Sequence, residues 1–123
     1  MNMEEEAKAR WGQTPAYKQS QERLAKYSPE DIEEAAQEMH AATLQVLGAM
    51  QRGLPADSEA AIAGAEAHRQ AISKWWYDCT FEIHTGLAEM YLADERFRKN
   101  YEDQAEGLAQ YLRDATFANA ALT

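Results

Sequence analysis

The sequence predicts an all-α domain, on three observations. No run of five or more positions alternates β-branched or aromatic residues with polar ones, and no Asn-Gly or Asp-Gly pair is present to close a hairpin. Apolar residues instead recur every three or four positions over long stretches. Those stretches begin at Ser or Thr followed by proline or an acid, where a side-chain oxygen can cap free amides and proline loses no hydrogen bond.

In chain order, residues 3–10 are helix-capable but carry few apolar side chains, so only Trp11 or an outside contact would order them. Thr14-Pro15 opens a short helix over about 15–27. Ser28-Pro29-Glu30-Asp31 is close to a capping box, with acids placed where the positive end of the helix dipole favours them. From there Ile32, Ala35, Met39, Thr43, Val46, Leu47 and Met50 keep helical spacing up to Gly53, which suits a left-handed terminus and is followed by Pro55; the helix spans about 29–52. Asp57 or Ser58 caps a pattern that continues to Leu92, with a break expected between 75 and 80, where bulky aromatics and Asp78 crowd. Asp94 caps a short helix through Tyr101, and a last helix covers about 104–120 with Leu108, Tyr111, Leu112, Ala115 and Ala118 along one stripe. Six or seven helices result, in one domain over residues 1–123 with no internal repeat or long linker.

Composition narrows the function. The 123 residues include 12 Lys and Arg against 21 Asp and Glu, a net charge of −9, so a nucleic-acid backbone would be repelled. Direct DNA or RNA contact is not expected. A single cysteine, Cys79, permits neither an internal disulfide nor a cysteine-rich zinc site and fits a reducing compartment. No apolar run approaches the ~18 residues of a membrane span, and MNMEEEAKAR is acidic where a secretion signal is basic and then apolar. The expectation is a cytoplasmic protein with no membrane contact.

Catalytic and metal signals are weak. His40, His68, His84, Cys79, Asp78 and Glu82 show no ligand spacing, because each Glu-His pair stands two positions apart and points to different helix faces. His68 on an apolar face suits a haem ligand or, more commonly, a hydrogen-bonded core residue. Cys79 has no base held beside it by helical spacing and is expected to be buried and inert. No enzyme mechanism can be written, and no cofactor is implied.

The central pattern has two apolar sides. If the helix were continuous, His68, Ile72, Trp75, Cys79, Ile83, Gly86 and Met90 would share one stripe, flanked by Trp76, while Tyr77, Phe81, His84, Ala88 and Tyr91 would lie about half a turn away. Both sides are core, or one lines a cleft. Trp11 and Tyr17, in a segment with little else to anchor it, offer flat area for stacking on a ring-rich ligand.

Several ordered motifs then carry a resemblance: Trp11-Gly12-Gln13-Thr14 with Ala16-Tyr17, Pro55-Ala56-Asp57-Ser58-Glu59, Ala65-Glu66 with His68-Arg69-Gln70, Tyr77-Asp78-Cys79, Glu82-Ile83-His84-Thr85, Glu89-Met90-Tyr91, Asp94-Glu95-Arg96-Phe97 and Tyr111-Leu112-Arg113-Asp114-Ala115. Together, over residues 4 to 121, the chain resembles the TipAS antibiotic-recognition domain, the effector-binding half of thiopeptide-induced MerR-type transcription activators, which also occurs as a separate short protein.

The resemblance implies a globin-like all-α bundle without haem. It further implies a cleft for large heterocyclic peptide antibiotics, with residues 1–27 a mobile lid that orders around the ligand. The expected ligand-binding set is Trp11, Tyr17, His68, Ile72, Trp75, Trp76, Cys79, Ile83, Gly86 and Met90. In covalent members a thiol two helical turns after the Tyr-Asp-Cys cysteine adds to a dehydroalanine of the drug. That position is Gly86 here, and Cys79 matches the other family cysteine, so the expected complex is non-covalent. Longer forms would carry an N-terminal MerR-type DNA-binding domain, and the domain is expected to be a monomer or homodimer. The alternative is a protein-interaction or homodimerisation domain with no small-molecule ligand.

Overall fold

A computed structural model describes residues 14–122. Among them are six helices, in order α1 (Pro15–Leu24), α2 (Pro29–Gln51), α3 (Glu59–Trp75), α4 (Phe81–Ala93), α5 (Glu95–Glu102) and α6 (Leu108–Ala121), and no strand.

The starts follow the expected chemistry. Thr14 accepts from the Tyr17 amide, and Ser28 and Asp31 form a reciprocal capping box at α2. Ser58 caps α3, Thr80 caps α4 and Asp94 caps α5. Gly53 takes φ 74° just past α2, the left-handed conformation a side chain would resist.

Two boundaries shift. The first helix ends at Leu24 rather than near 27, because the chain turns over Ala25 and Lys26 to bring Tyr27 inward. The last helix begins at Leu108 rather than near 104. There the Glu102 carboxylate accepts the Gly107 and Ala109 amides, ending α5 and starting α6 around Gly107 at φ 88°.

The core forms where α6 lies against α2, α3 and α4. Val46, Leu47, Leu108 and Leu112 make one cluster, and Ala49, Ala61, Ala65 and Ala115 a second in which small side chains let the helices approach closely. Gly64 is required at the α2–α3 contact, since a β-carbon there would stand 2.8 Å from Val46 Cγ2 and 3.0 Å from the Val46 amide nitrogen. The Tyr111 hydroxyl donates to the Leu54 carbonyl at 2.8 Å, pinning the α2–α3 connection to α6. No described helix is long and apolar enough to cross a membrane.

Candidate functional site

The site is organised by the break between α3 and α4, residues 76–80. Its path is held by side chains rather than by helix hydrogen bonds. The Cys79 amide donates to Ser73 Oγ at 2.9 Å, and Arg69 Nη1 donates to the Cys79 carbonyl at 2.7 Å. Arg69 is itself fixed by a two-pronged pair with Glu66, at 2.8 and 2.7 Å, and lies 4.2 Å over the Phe81 ring. Arg69 holds the Glu66 carboxyl down at about 2, despite partial burial, and the Asn119 and Gln70 amides assist. The turn is therefore tied to α3 and, through Asn119, to α6.

Because the helix is interrupted, the single stripe expected from a continuous pattern divides. His68, Ile72, Trp75 and Cys79 are all buried. Trp76, Ile83 and Met90 are half-buried and Gly86 is exposed. Tyr17 is half-buried on α1, and Trp11 lies outside the described residues.

The buried members have structural partners. Trp75 Nε1 donates to Glu38 at 2.6 Å, Lys74 takes the other Glu38 oxygen at 2.7 Å, and the Tyr27 ring meets Trp75 edge-on at 5.5 Å. His68 Nδ1 and His84 Nε2 share a hydrogen bond of 2.9 Å. Burial pushes the Cys79 thiol up to about 11, only partly offset by Arg69, so at neutral pH it is a protonated, poor nucleophile. Three or more His, Cys, Asp or Glu side chains converge nowhere among the described residues to hold a metal ion.

Helix α4 shows two unlike apolar sides. His84 and Ala88 face the core, and Tyr91 continues that side into an aromatic cluster with Tyr101 and Phe97, ring centroids 5.3 and 5.9 Å away. Burial raises the Tyr91 hydroxyl to about 12 and that of Tyr101 higher still, so both remain neutral donors. Ile83, Gly86, Leu87 and Met90 share the other side at i, i+3, i+4 and i+7. This second side is only partly covered, and a β-carbon on Gly86 would meet nothing within 4 Å.

The arrangement can hold an apolar or ring-bearing molecule against the open side of α4 by burial of apolar surface. An open groove of about 310 Å³ between α2 and α3, walled by Ala41, Ala42, Ala67 and Ala71 and flanked by Glu38 and Lys74, touches none of the residues expected to bind the ligand. Pattern reading of the sequence missed the Glu38 clamp on Trp75 and the contacts that Arg23 and Tyr27 make, since each spans more than thirty positions. The Glu66–Arg69 pair, at i and i+3, was available to it.

Comparison with known proteins adds identity to this geometry. Residues 3–119 match the family described as the TipAS antibiotic-recognition domain. The chain is 49% identical over 117 residues, 95% of its length and 46% of the relative's, to the HTH-type transcriptional activators TipA of Streptomyces coelicolor and of Streptomyces lividans. It is 35% identical over 97 residues, 79% of its length and 37% of the relative's, to the HTH-type transcriptional activator mta of Bacillus subtilis. It thus spans less than half the length of these curated relatives.

Among solved structures, TipAS from Streptomyces lividans in complex with nosiheptide, from a thiopeptide antibiotic multidrug resistance system, matches with TM-score 0.89 and 48% identity over 97% of this chain and 83% of that one. The antibiotic-binding domain of a TipA-class multidrug resistance transcriptional regulator matches with TM-score 0.66 and 46% identity over 72% of this chain and 94% of that one.

Proposed function

The chain belongs to the TipAS antibiotic-recognition domain family, and from that membership we propose that it binds thiopeptide-class antibiotics non-covalently, in the cytoplasm, either sequestering the drug or reporting its presence. The observation that carries this reading is the correspondence of nearly the whole fold to a nosiheptide-bound TipAS structure. The partly covered side of α4 fits the reading: Ile83, Leu87 and Met90 offer apolar area, and Gly86 leaves room above the helix. A rigid polycyclic peptide loses little conformational freedom on binding, so burial against such a face converts efficiently to affinity.

No chemistry on the ligand is part of the proposal. Gly86 supplies no thiol, and Cys79 is buried and protonated at neutral pH. Residues 1–27 serve as the lid, with Trp11 and Tyr17 as its stacking groups. In a longer parent protein the domain would act through an attached MerR-type DNA-binding domain, its own acidic surface making no nucleic-acid contact.

The test is a titration with nosiheptide followed by tryptophan fluorescence, thermal melting and intact mass. Binding is expected to change the emission, to raise the melting temperature with drug concentration, and to leave the protein mass unaltered under denaturing conditions. Unchanged emission and melting at saturating drug would overturn the reading, and a covalent mass increase would overturn its non-covalent part.

A further inference from the structure

The Cys79 peptide, one residue ahead of the Thr80 cap of α4, is gripped on both sides by side chains of α3. Ser73 Oγ accepts its amide at 2.9 Å, and Arg69 Nη1 donates to its carbonyl at 2.7 Å. Arg69 divides its planar fork: Nε and Nη2 meet the two Glu66 oxygens, which leaves Nη1 for the turn. The same guanidinium lies over the ring of Phe81, the first residue of α4.

Glu66 is braced in turn. Besides the two prongs of Arg69, its Oε1 accepts from Asn119 Nδ2 at 3.0 Å and its Oε2 from Gln70 Nε2 at 2.8 Å, so the carboxylate accepts four hydrogen bonds. Asn119 is only 6% exposed and belongs to α6. The Arg69 side chain is therefore fixed from α3 and α6 before its remaining prong reaches the turn, and with 15% of its surface exposed it is only weakly screened by solvent.

We propose that Arg69 and Ser73 are positioning residues that clamp the start of α4, so that Ile83 and Gly86 are presented to a ligand in one fixed arrangement. The effect on affinity rests on the antibiotic-binding reading; the clamp does not. The first amides of a helix have no acceptor within it, and a helix loosens from its ends. Ile83 and Gly86 lie within the first six residues of α4, whereas Leu87 and Met90 lie further along, beside the core-facing Ala88. A loosened start lowers the fraction of chains that present the whole open side, and apparent affinity falls with that fraction.

The experiment measures hydrogen exchange and melting temperature of the whole drug-free chain and, well below the melting temperature, nosiheptide affinity. The unaltered protein is compared with Arg69→Ala, Arg69→Lys, Ser73→Ala and Gln70→Ala. Arg69→Ala and Ser73→Ala are each expected to lower amide protection over 79–86 while leaving α2 and α6 protected, and to weaken affinity about threefold to tenfold. Lysine, a single-point donor, cannot meet Glu66 and the Cys79 carbonyl as the fork does and falls between Arg69→Ala and the unaltered chain. Gln70 is exposed and touches Glu66 without reaching the turn, so Gln70→Ala stays within about twofold. If Arg69→Ala does not fold, Ser73→Ala makes the same comparison with the Glu66–Arg69 pair intact.

Unchanged protection over 79–86 in the alanine variants that fold, or a parallel loss of protection throughout the core, would overturn the proposal. So would a lower melting temperature with unchanged affinity, the mark of a merely structural contact. If the unaltered chain binds no nosiheptide, the ligand reading fails instead, and the exchange comparison still upholds or overturns the clamp.

Discussion

His68 Nδ1 and His84 Nε2 lie 2.9 Å apart with their rings stacked at 5.2 Å, joining α3 to α4 on the core side of the break. Each residue is only 1% exposed. One ring must donate and the other accept, so the pair is stable only while at least one imidazole is neutral. The outer nitrogens, His68 Nε2 and His84 Nδ1, have no partner among the described residues, and in either tautomer one of them is an N–H and the other a lone pair. Tyr91 meets His68 edge-on at 6.3 Å and brings no charge to the pair. Burial lowers the affinity of both rings for a proton, and for His84 a charge on His68 lowers it further.

Stability is therefore expected to fall on mild acidification. The unfolded chain takes up protons on these rings near the ordinary imidazole pKa of about 6.5, whereas the folded chain resists until far lower pH. Between those limits the unfolded state binds more protons, so stability is full above about 6.5 and declines as pH drops, with each ring adding a slope approaching 1.4 kcal/mol per pH unit. Glu66 acts in a lower window: held down at about 2, it contributes stability that is lost only as pH falls below the ordinary carboxylate range of about 4. Urea midpoints between pH 7 and 5 check this. His84→Gln, which keeps a hydrogen-bonding group but cannot titrate, is expected to reduce the slope by about half; an unaltered slope would remove the pair as its source.

Gly64 and Gly86 should respond oppositely to alanine. At Gly64 the new methyl meets Val46 side chain and backbone, so α2 and α3 must separate, and the cost of overpacking, about 1–3 kcal/mol, exceeds the gain of about 1 kcal/mol in helix propensity. At Gly86 nothing opposes the methyl, leaving a net gain of about 0.5–1 kcal/mol. Chemical denaturation of the two variants measures the difference, and a Gly64→Ala protein as stable as its parent would show that the α2–α3 contact relaxes freely.

The helices were legible because their starts use local chemistry: Thr14, Ser28, Ser58 and Asp94 each cap within three residues of themselves. The break at 76–80 was legible from its crowding. The division of the central stripe was not, because a helix wheel assumes one axis and the break gives α3 and α4 separate axes. That is why His68 and Cys79, in line with Gly86 on the wheel, are sealed in the core while Gly86 is open. Contacts such as Arg23 to Ser73, fifty positions apart, leave no periodic trace. The family motifs, by contrast, identified the domain directly, because they preserve residues at spacings that composition does not constrain.

Trp75 and Trp76, adjacent in sequence, are expected to separate folding from binding. Trp75 is 8% exposed and clamped by Glu38, so Trp75→Ala should cost about 3–5 kcal/mol through lost packing. Trp76 is half-buried, and its removal should cost less stability while reducing nosiheptide affinity. Denaturation and fluorescence titration of both variants give the comparison; a stability loss in Trp76→Ala as large as that in Trp75→Ala would make both core residues.

Gly86→Cys should convert the complex from reversible to covalent. A side chain at this position points into open space on α4, where a thiol keeps a pKa near the ordinary value of about 8.5 and a few per cent is thiolate at pH 7. Cys79, with its thiol pushed up to about 11 and sealed from solvent, offers far less. A thiolate at 86 would add to the terminal carbon of a dehydroalanine in the drug, and the neighbouring carbon would take a proton, forming a thioether with no oxidant or leaving group. Intact mass after incubation with nosiheptide should increase by one drug molecule in Gly86→Cys and not in its parent. Addition should accelerate as pH rises toward 8.5. Reversible binding with no mass increase in the variant would show that residue 86 does not face the drug, and would move the binding surface away from this side of α4.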